Sequence, residues 1–184
     1  MKALFIVTVF VALAMGFVAP VGAQTPNLGV FFDSGWSRMD WNCPGAGTMD
    51  TIYVVARNFD RYLAAVEYAI NYPPAMTWLY DFDIPTMTIG NTPTGITSGF
   101  GVPQNGYNPL CVAKAVFIWN CSECTPTYSD IPVIVSTHPG TGFLGGVDYP
   151  AYDLVPAVGM LSLICPTVPT ESSTWGKIKS LYNE

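Results

Sequence analysis

Residues 110–124, LCVAKAVFIWNCSEC, constrain this chain more than any other stretch. At a period of two, Cys111, Ala113, Ala115, Phe117, Trp119 and Cys121 share one face, and Val112, Lys114, Val116, Ile118 and Asn120 share the other. Both faces carry large apolar groups, and β-branched and aromatic residues abound. The run therefore reads as a strand through the middle of a sheet. A helix is the weaker reading, because no polar stripe recurs at helical spacing. Three of the chain's five cysteines sit on this strand or in the turn that ends it, which makes it a structural spine.

The rest of the sequence supplies partners for that strand. Residues 28–33, 51–58, 75–82, 84–89, 95–100 and 131–137 are short β-prone runs, with shorter ones at 143–147 and 153–155 and a closing one at 158–165. Gly, Pro and Asn clusters separate them, and residues 36–48 and 102–108 read as loops. Pro132 fits best near an edge or at a strand start. Residues 63–72 contain good helix formers. Val66, Tyr68 and Ile70 nonetheless alternate with Glu67, Ala69 and Asn71 before Pro73-Pro74, which favours a strand with one buried and one wet face. Many spaced strands without long helices predict an all-β, antiparallel, immunoglobulin-like sandwich.

The N-terminus sets the expected location. Met1-Lys2 leads into an apolar run to Ala19, followed by Pro20 and the small residues before Gln24. This is the pattern of a secretory signal peptide cleaved after Ala23, so residues 1–23 are set aside. The 161 remaining residues (184 − 23) suffice for one domain, expected at 24–165. They hold six basic against thirteen acidic residues with no basic cluster, which argues against nucleic acid as a partner. No segment of the mature chain approaches the roughly 20 apolar residues of a membrane span.

In a secreted chain, Cys43, Cys111, Cys121, Cys124 and Cys165 are disulfide candidates, enough for two bridges and one leftover thiol. Cys111 and Cys121 lie roughly 33 Å apart on one extended strand and cannot pair with each other. Cys165 is a possible partner for Cys121 or Cys124, and Cys43 either reaches Cys111 or stays free. Beyond Cys165, residues 166–174 form a Pro/Thr/Ser linker. The tail that follows places Trp175, Ile178 and Tyr182 at i, i+3 and i+7, with Leu181 beside them. That segment is too short to be a stable helix alone, so it is a candidate contact for the sandwich or for a partner.

The order GVFFD, TIYVVARN, LAAVEYAINYPPAMTW, TIGNTPTGITSGFG, VSTHPGTGFLGGVDYP and VPAVGMLSLICP resembles a group of uncharacterised secreted bacterial β-sandwich proteins. In that group a short TWGKIKSLY-like tail also closes the chain after a Pro-rich linker. The resemblance covers nearly the whole mature sequence and implies export and a β-sandwich, with no activity to carry over. Separately, LAAVEYAINYPPAMTW is similar to an early strand pair of cohesin-like, carbohydrate-associated β-sandwiches. No functional residue transfers from either likeness.

Each candidate site has a plain structural alternative. Cys121-Ser122-Glu123-Cys124 matches a redox motif, but it follows a strand and precedes Thr125-Pro126 rather than opening a helix. Structural pairing explains it better, and a zinc site lacks a second close ligand pair. His138, the single histidine, lies in a turn sequence, and no serine occupies a nucleophile elbow. Asp81 and Asp83, with Asp33 or Asp40, are calcium or acid/base candidates, because alternate strand positions share a face. The alternative is ordinary solvent-facing acids. Trp36, Trp41, Tyr72, Trp78, Tyr80, Tyr107, Tyr149 and Tyr152 can stack on sugars or contact protein, although some must fill the core.

The sequence thus predicts a secreted, non-catalytic structural or adhesion protein without a cofactor. Copies of itself or extracellular polymers are the expected partners. Carbohydrate binding and hydrolysis by an acid pair are the alternatives.

Overall fold

The computed structural model describes residues 24–42, 45–85, 87–120 and 130–164. Every regular element in them is a strand. They are β1 (Asn27–Phe31), β2 (Asp40–Trp41), β3 (Met49–Arg57), β4 (Tyr62–Asn71), β5 (Met76–Phe82), β6 (Met87–Asn91) and β7 (Gly95–Asn105). The chain continues through β8 (Leu110–Trp119), β9 (Ile131–Ser136), β10 (Gly145–Tyr149), β11 (Leu154–Pro156), β12 (Val158–Gly159) and β13 (Leu161–Ile164).

One sheet has the order β12-β1-β3-β8-β5, so residues 110–119 do run between two neighbours. The second sheet is built around β4. On one edge of β4 lie β7 and then β6. On the other, β9 and β10 run end to end, both antiparallel to β4, and carry β13 and β11 outside them. All pairings are antiparallel except β1 with β12 and β2 with β13.

The sheets are joined by the side chains that alternation turns inward. Ala113, Ala115, Phe117 and Trp119 of β8 are buried, and so are Leu63, Val66, Tyr68 and Ile70 of β4. Trp41 stacks on Phe32 at 5.9 Å between ring centroids. It also meets Phe117 and Trp119 edge-to-face at 5.1 and 6.2 Å. Burying each such ring contributes about 1.5–3 kcal/mol relative to exposure.

Four details differ from the sequence reading. The expected loop at 36–48 contains β2, whose Trp41 is held in the core by its rings. Strand β7 runs on to Asn105, through part of the expected loop 102–108, because β4 continues to pair with it as far as Tyr62. Ala69, assigned to a wet face, is buried. The expected closing strand at 158–165 is divided between the two sheets at Met160. There the N–H donates to Leu28 of β1 (2.8 Å) while the carbonyl accepts from Val135 of β9 (3.4 Å). Gly159 permits this crossing, since a Cβ there would run into the carbonyl oxygen of Val135.

Candidate interaction face

The outward positions of the β4 sheet hold the most extended apolar feature on the surface. Met87 pairs with Gly99, Gly99's neighbour on β4 is Ala65, Ala65 pairs with Val147, and Val147 pairs with Leu154. Residues directly opposite each other point to the same face, so these five form one apolar row across five strands. Its ends are large and exposed, Met87 at 69 % and Leu154 at 65 %. Its middle is small. The next row begins with Ile89, 78 % exposed, and continues through Thr97 and Glu67. Met87, Ile89, Thr88, Thr97, Gly99 and Ala65 line a groove of about 480 Å³.

Local chemistry fixes which way β6 faces. Between Met87 and Ile89, the Thr88 hydroxyl lies 3.0 Å from that of Ser98, which is fully buried. Thr88 therefore points inward, and its two apolar neighbours point out. The alternation of Met87-Thr88-Ile89 was the sequence signal for this face, but only the register across β7 and β4 shows that small residues continue it. The hydroxyl of Thr141 donates to Glu67 at the rim.

A second surface cluster lies at the far end of the same sheet. Tyr62 of β4 pairs with Tyr149 of β10. Tyr107 packs edge-on against Tyr62 at 6.0 Å, and Tyr152 against Tyr149 at 5.8 Å. All four rings are exposed. Beside them Arg61 is neutralised by Asp60 (3.1 Å) and Asp148 (3.5 Å).

The acids singled out from the sequence do not converge. Asp81 is an internal clamp. One of its oxygens accepts from the Trp78 indole (3.0 Å) and the Thr92 hydroxyl (2.7 Å), and the other accepts from the Thr92 N–H (2.8 Å). This ties β5 of one sheet to the β6–β7 turn of the other. Asp83 lies past the end of β5 in a left-handed conformation and pairs with Lys114 at 2.5 Å. That hydrogen bond also raises the Lys114 pKa. The expected shared face is lost because β5 is bulged between Trp78 and Tyr80 and ends at Phe82. Among the described residues no group of three or more His, Cys, Asp or Glu side chains could hold a metal.

Asp33 serves its own loop. It accepts from the N–H groups of Gly35 (3.1 Å), Ser37 (2.9 Å) and Arg38 (2.6 Å) and from the Ser37 hydroxyl (3.0 Å). Of these the Arg38 N–H does most to lower its pKa. Asp40 lies on β2, paired with Leu163 of β13. His138 stabilises its turn, as expected, with Nδ1 accepting from the Gly140 N–H at 3.0 Å.

Cys111 carries a free thiol. Burial pushes that thiol's pKa up, so it is a poor nucleophile at neutral pH. It sits where β8 is bulged: Val54 pairs with Ala113 and Val55 with Cys111, which skips Val112 and breaks the expected alternation of faces. Cys43, Cys121, Cys124 and Cys165 lie outside the described residues. So do the signal-peptide residues 1–23 and the tail candidates Trp175, Ile178, Leu181 and Tyr182.

No protein-family model matches the sequence, and none of the curated proteins does. Solved structures do match in shape. The third ScaB cohesin of Ruminococcus flavefaciens, solved with a group 1 dockerin, is similar with a TM-score of 0.54 at 12 % identity, over 82 % of this chain and 100 % of that one. The chain has a cohesin-like fold. A type III cohesin from the cell-surface anchoring scaffoldin ScaE of the same organism gives 0.51 at 11 % identity, over 83 % and 94 % of the two chains. The sixth cohesin of Acetivibrio cellulolyticus scaffoldin B, in complex with a Cel5 dockerin, gives 0.51 at 9 %, over 78 % and 99 %. The cohesin-like β-sandwich predicted from the sequence is thus found, and the likeness is one of fold.

Proposed function

We propose that this chain is a secreted, non-catalytic protein-binding module of an extracellular assembly, and that it binds across the outer face of the β4 sheet. The observation that carries the reading is the apolar row from Met87 to Leu154, which no described segment covers. Exposed apolar side chains gathered on one face mark contact surfaces in soluble proteins. The structural neighbours solved with dockerins support the reading, since they use a sandwich of this kind to hold another protein. Export rests on the N-terminal sequence. Hydrolysis by an acid pair loses its footing, because Asp81 and Asp83 are committed to separate partners.

The test uses residues 24–184 and the Ile89→Asp variant. Sedimentation measures binding to copies of the chain. Capture from the extracellular fraction of the source culture, repeated with the purified partner, measures binding to other proteins. The wild type is expected to bind and the variant to lose it. Equal binding by both would overturn the assignment of the face.

The exposed tyrosine cluster favours a second reading, stacking on neutral polysaccharide. Retardation of the wild type in polysaccharide-containing gels, abolished by Tyr62→Ala with Tyr149→Ala, is its expected signature. No retardation would remove it.

A further inference from the structure

We infer that the groove between β6 and β4 receives residues 175–182 from a second copy of this chain. The inference rests on the proposed protein-binding role of the outer face and names the partner. Shape comes first. Trp175, Ile178 and Tyr182 recur at the spacing by which an amphipathic helix lays its apolar side into a groove. The receiving groove has a floor of Gly99, Ala65 and Thr97 and walls of Met87 and Ile89.

Charge points the same way. Residues 24–164 hold four basic and eleven acidic residues, a net of −7. Residues 175–182 hold Lys177 and Lys179 and no acid, two of the chain's seven cations in eight positions. These lysines flank Ile178, and Glu67 lies at the groove's rim. The attraction is of the kind that steers association and weakens with salt.

Reach selects a second copy over the chain's own tail. Ile164 pairs with Ile131, three positions beyond the Ile134 that pairs with Asn71. It therefore lies nine positions along β4 from Ala65, about 30 Å, and about three strand spacings (~14 Å) to the side of β7. The straight span is then ~33 Å, and β13 runs away from the groove. Residues 165–174, fully extended, cover only ~31 Å. A neighbouring molecule meets no such limit. A tail-to-groove contact is heterologous, so repeating it builds open chains rather than a closed pair.

The experiment is sedimentation velocity with light scattering on residues 24–184, over a concentration series at low and high salt. The wild type is expected to grow beyond a dimer with concentration and to shrink in high salt. Ile178→Asp removes the tail contact and Ile89→Asp the groove, so each alone should be monomeric with an unchanged near-ultraviolet spectrum. Mixed in equal amounts, the two should form a heterodimer that grows no further, because one good tail then meets one good groove. Thr97→Arg is the second groove variant should Ile89→Asp fail to fold. A wild type that stays monomeric, a variant that associates like the wild type, or a mixture that stays monomeric overturns the inference. If the wild type is monomeric but Ile89→Asp still loses a different protein partner, this inference falls and the protein-binding role stands. If nothing binds, both fall.

Discussion

Two apolar clusters in this molecule draw on similar side chains and end differently. Trp41, Phe117 and Trp119 meet between the sheets and are buried. Met87, Gly99, Ala65, Val147 and Leu154 line up across one sheet, with both ends in water. In the first cluster large rings from both sheets interlock. In the second, small residues in the middle keep the surface hollow while large ones stand at its margins. Apolar content alone therefore does not separate core from contact surface. What separates them is whether the opposing layer belongs to the same molecule.

The comparison can be broken from the core side. Trp119→Ala removes the largest fully buried ring and is expected to cost about 3–5 kcal/mol, read as a lower denaturation midpoint in urea. A cost under 1 kcal/mol would mean that this cluster does not hold the sheets together. Asp81→Ala leaves the N–H and hydroxyl of fully buried Thr92 without their carboxylate, for an expected loss of about 2–3 kcal/mol. Added calcium should not change that value, whereas a cation site would make it calcium-dependent.

A smaller effect is set by pH. The pKa of Asp33 is lowered in the fold, so its contribution is complete above the ordinary carboxylate range and is lost as pH falls through the lowered value. The Ser37 and Arg38 amide resonances should therefore shift only below the pH at which a free aspartate titrates. A shift at or above that pH would contradict the hydrogen-bonded loop.

Much of the fold was legible because alternation is local. The burial of β8, the strand at Val66–Tyr68–Ile70 and the turn at His138 each follow from residues within a few positions of one another. The failures are non-local. Nothing within residues 158–165 marks Met160 as the point where the chain changes sheets, since Leu28 and Val135 make that division. Asp81 and Asp83 share a face only on an unbulged strand. The candidate face was hidden for the same reason. Met87 and Ile89 alternate visibly, but Gly99, Ala65, Val147 and Leu154 join them through register across four further strands. Tyr62 and Tyr149 likewise become neighbours only through pairing of β4 with β10.

The most direct measurement takes stability and association of Ile89→Asp from the same preparation. Ile89 is exposed, so the urea midpoint should move by no more than about 0.5 kcal/mol while binding to copies or partner is lost. Unfolding of the variant would place Ile89 in the core. Unchanged binding would contradict the outer face of the β4 sheet as the contact surface.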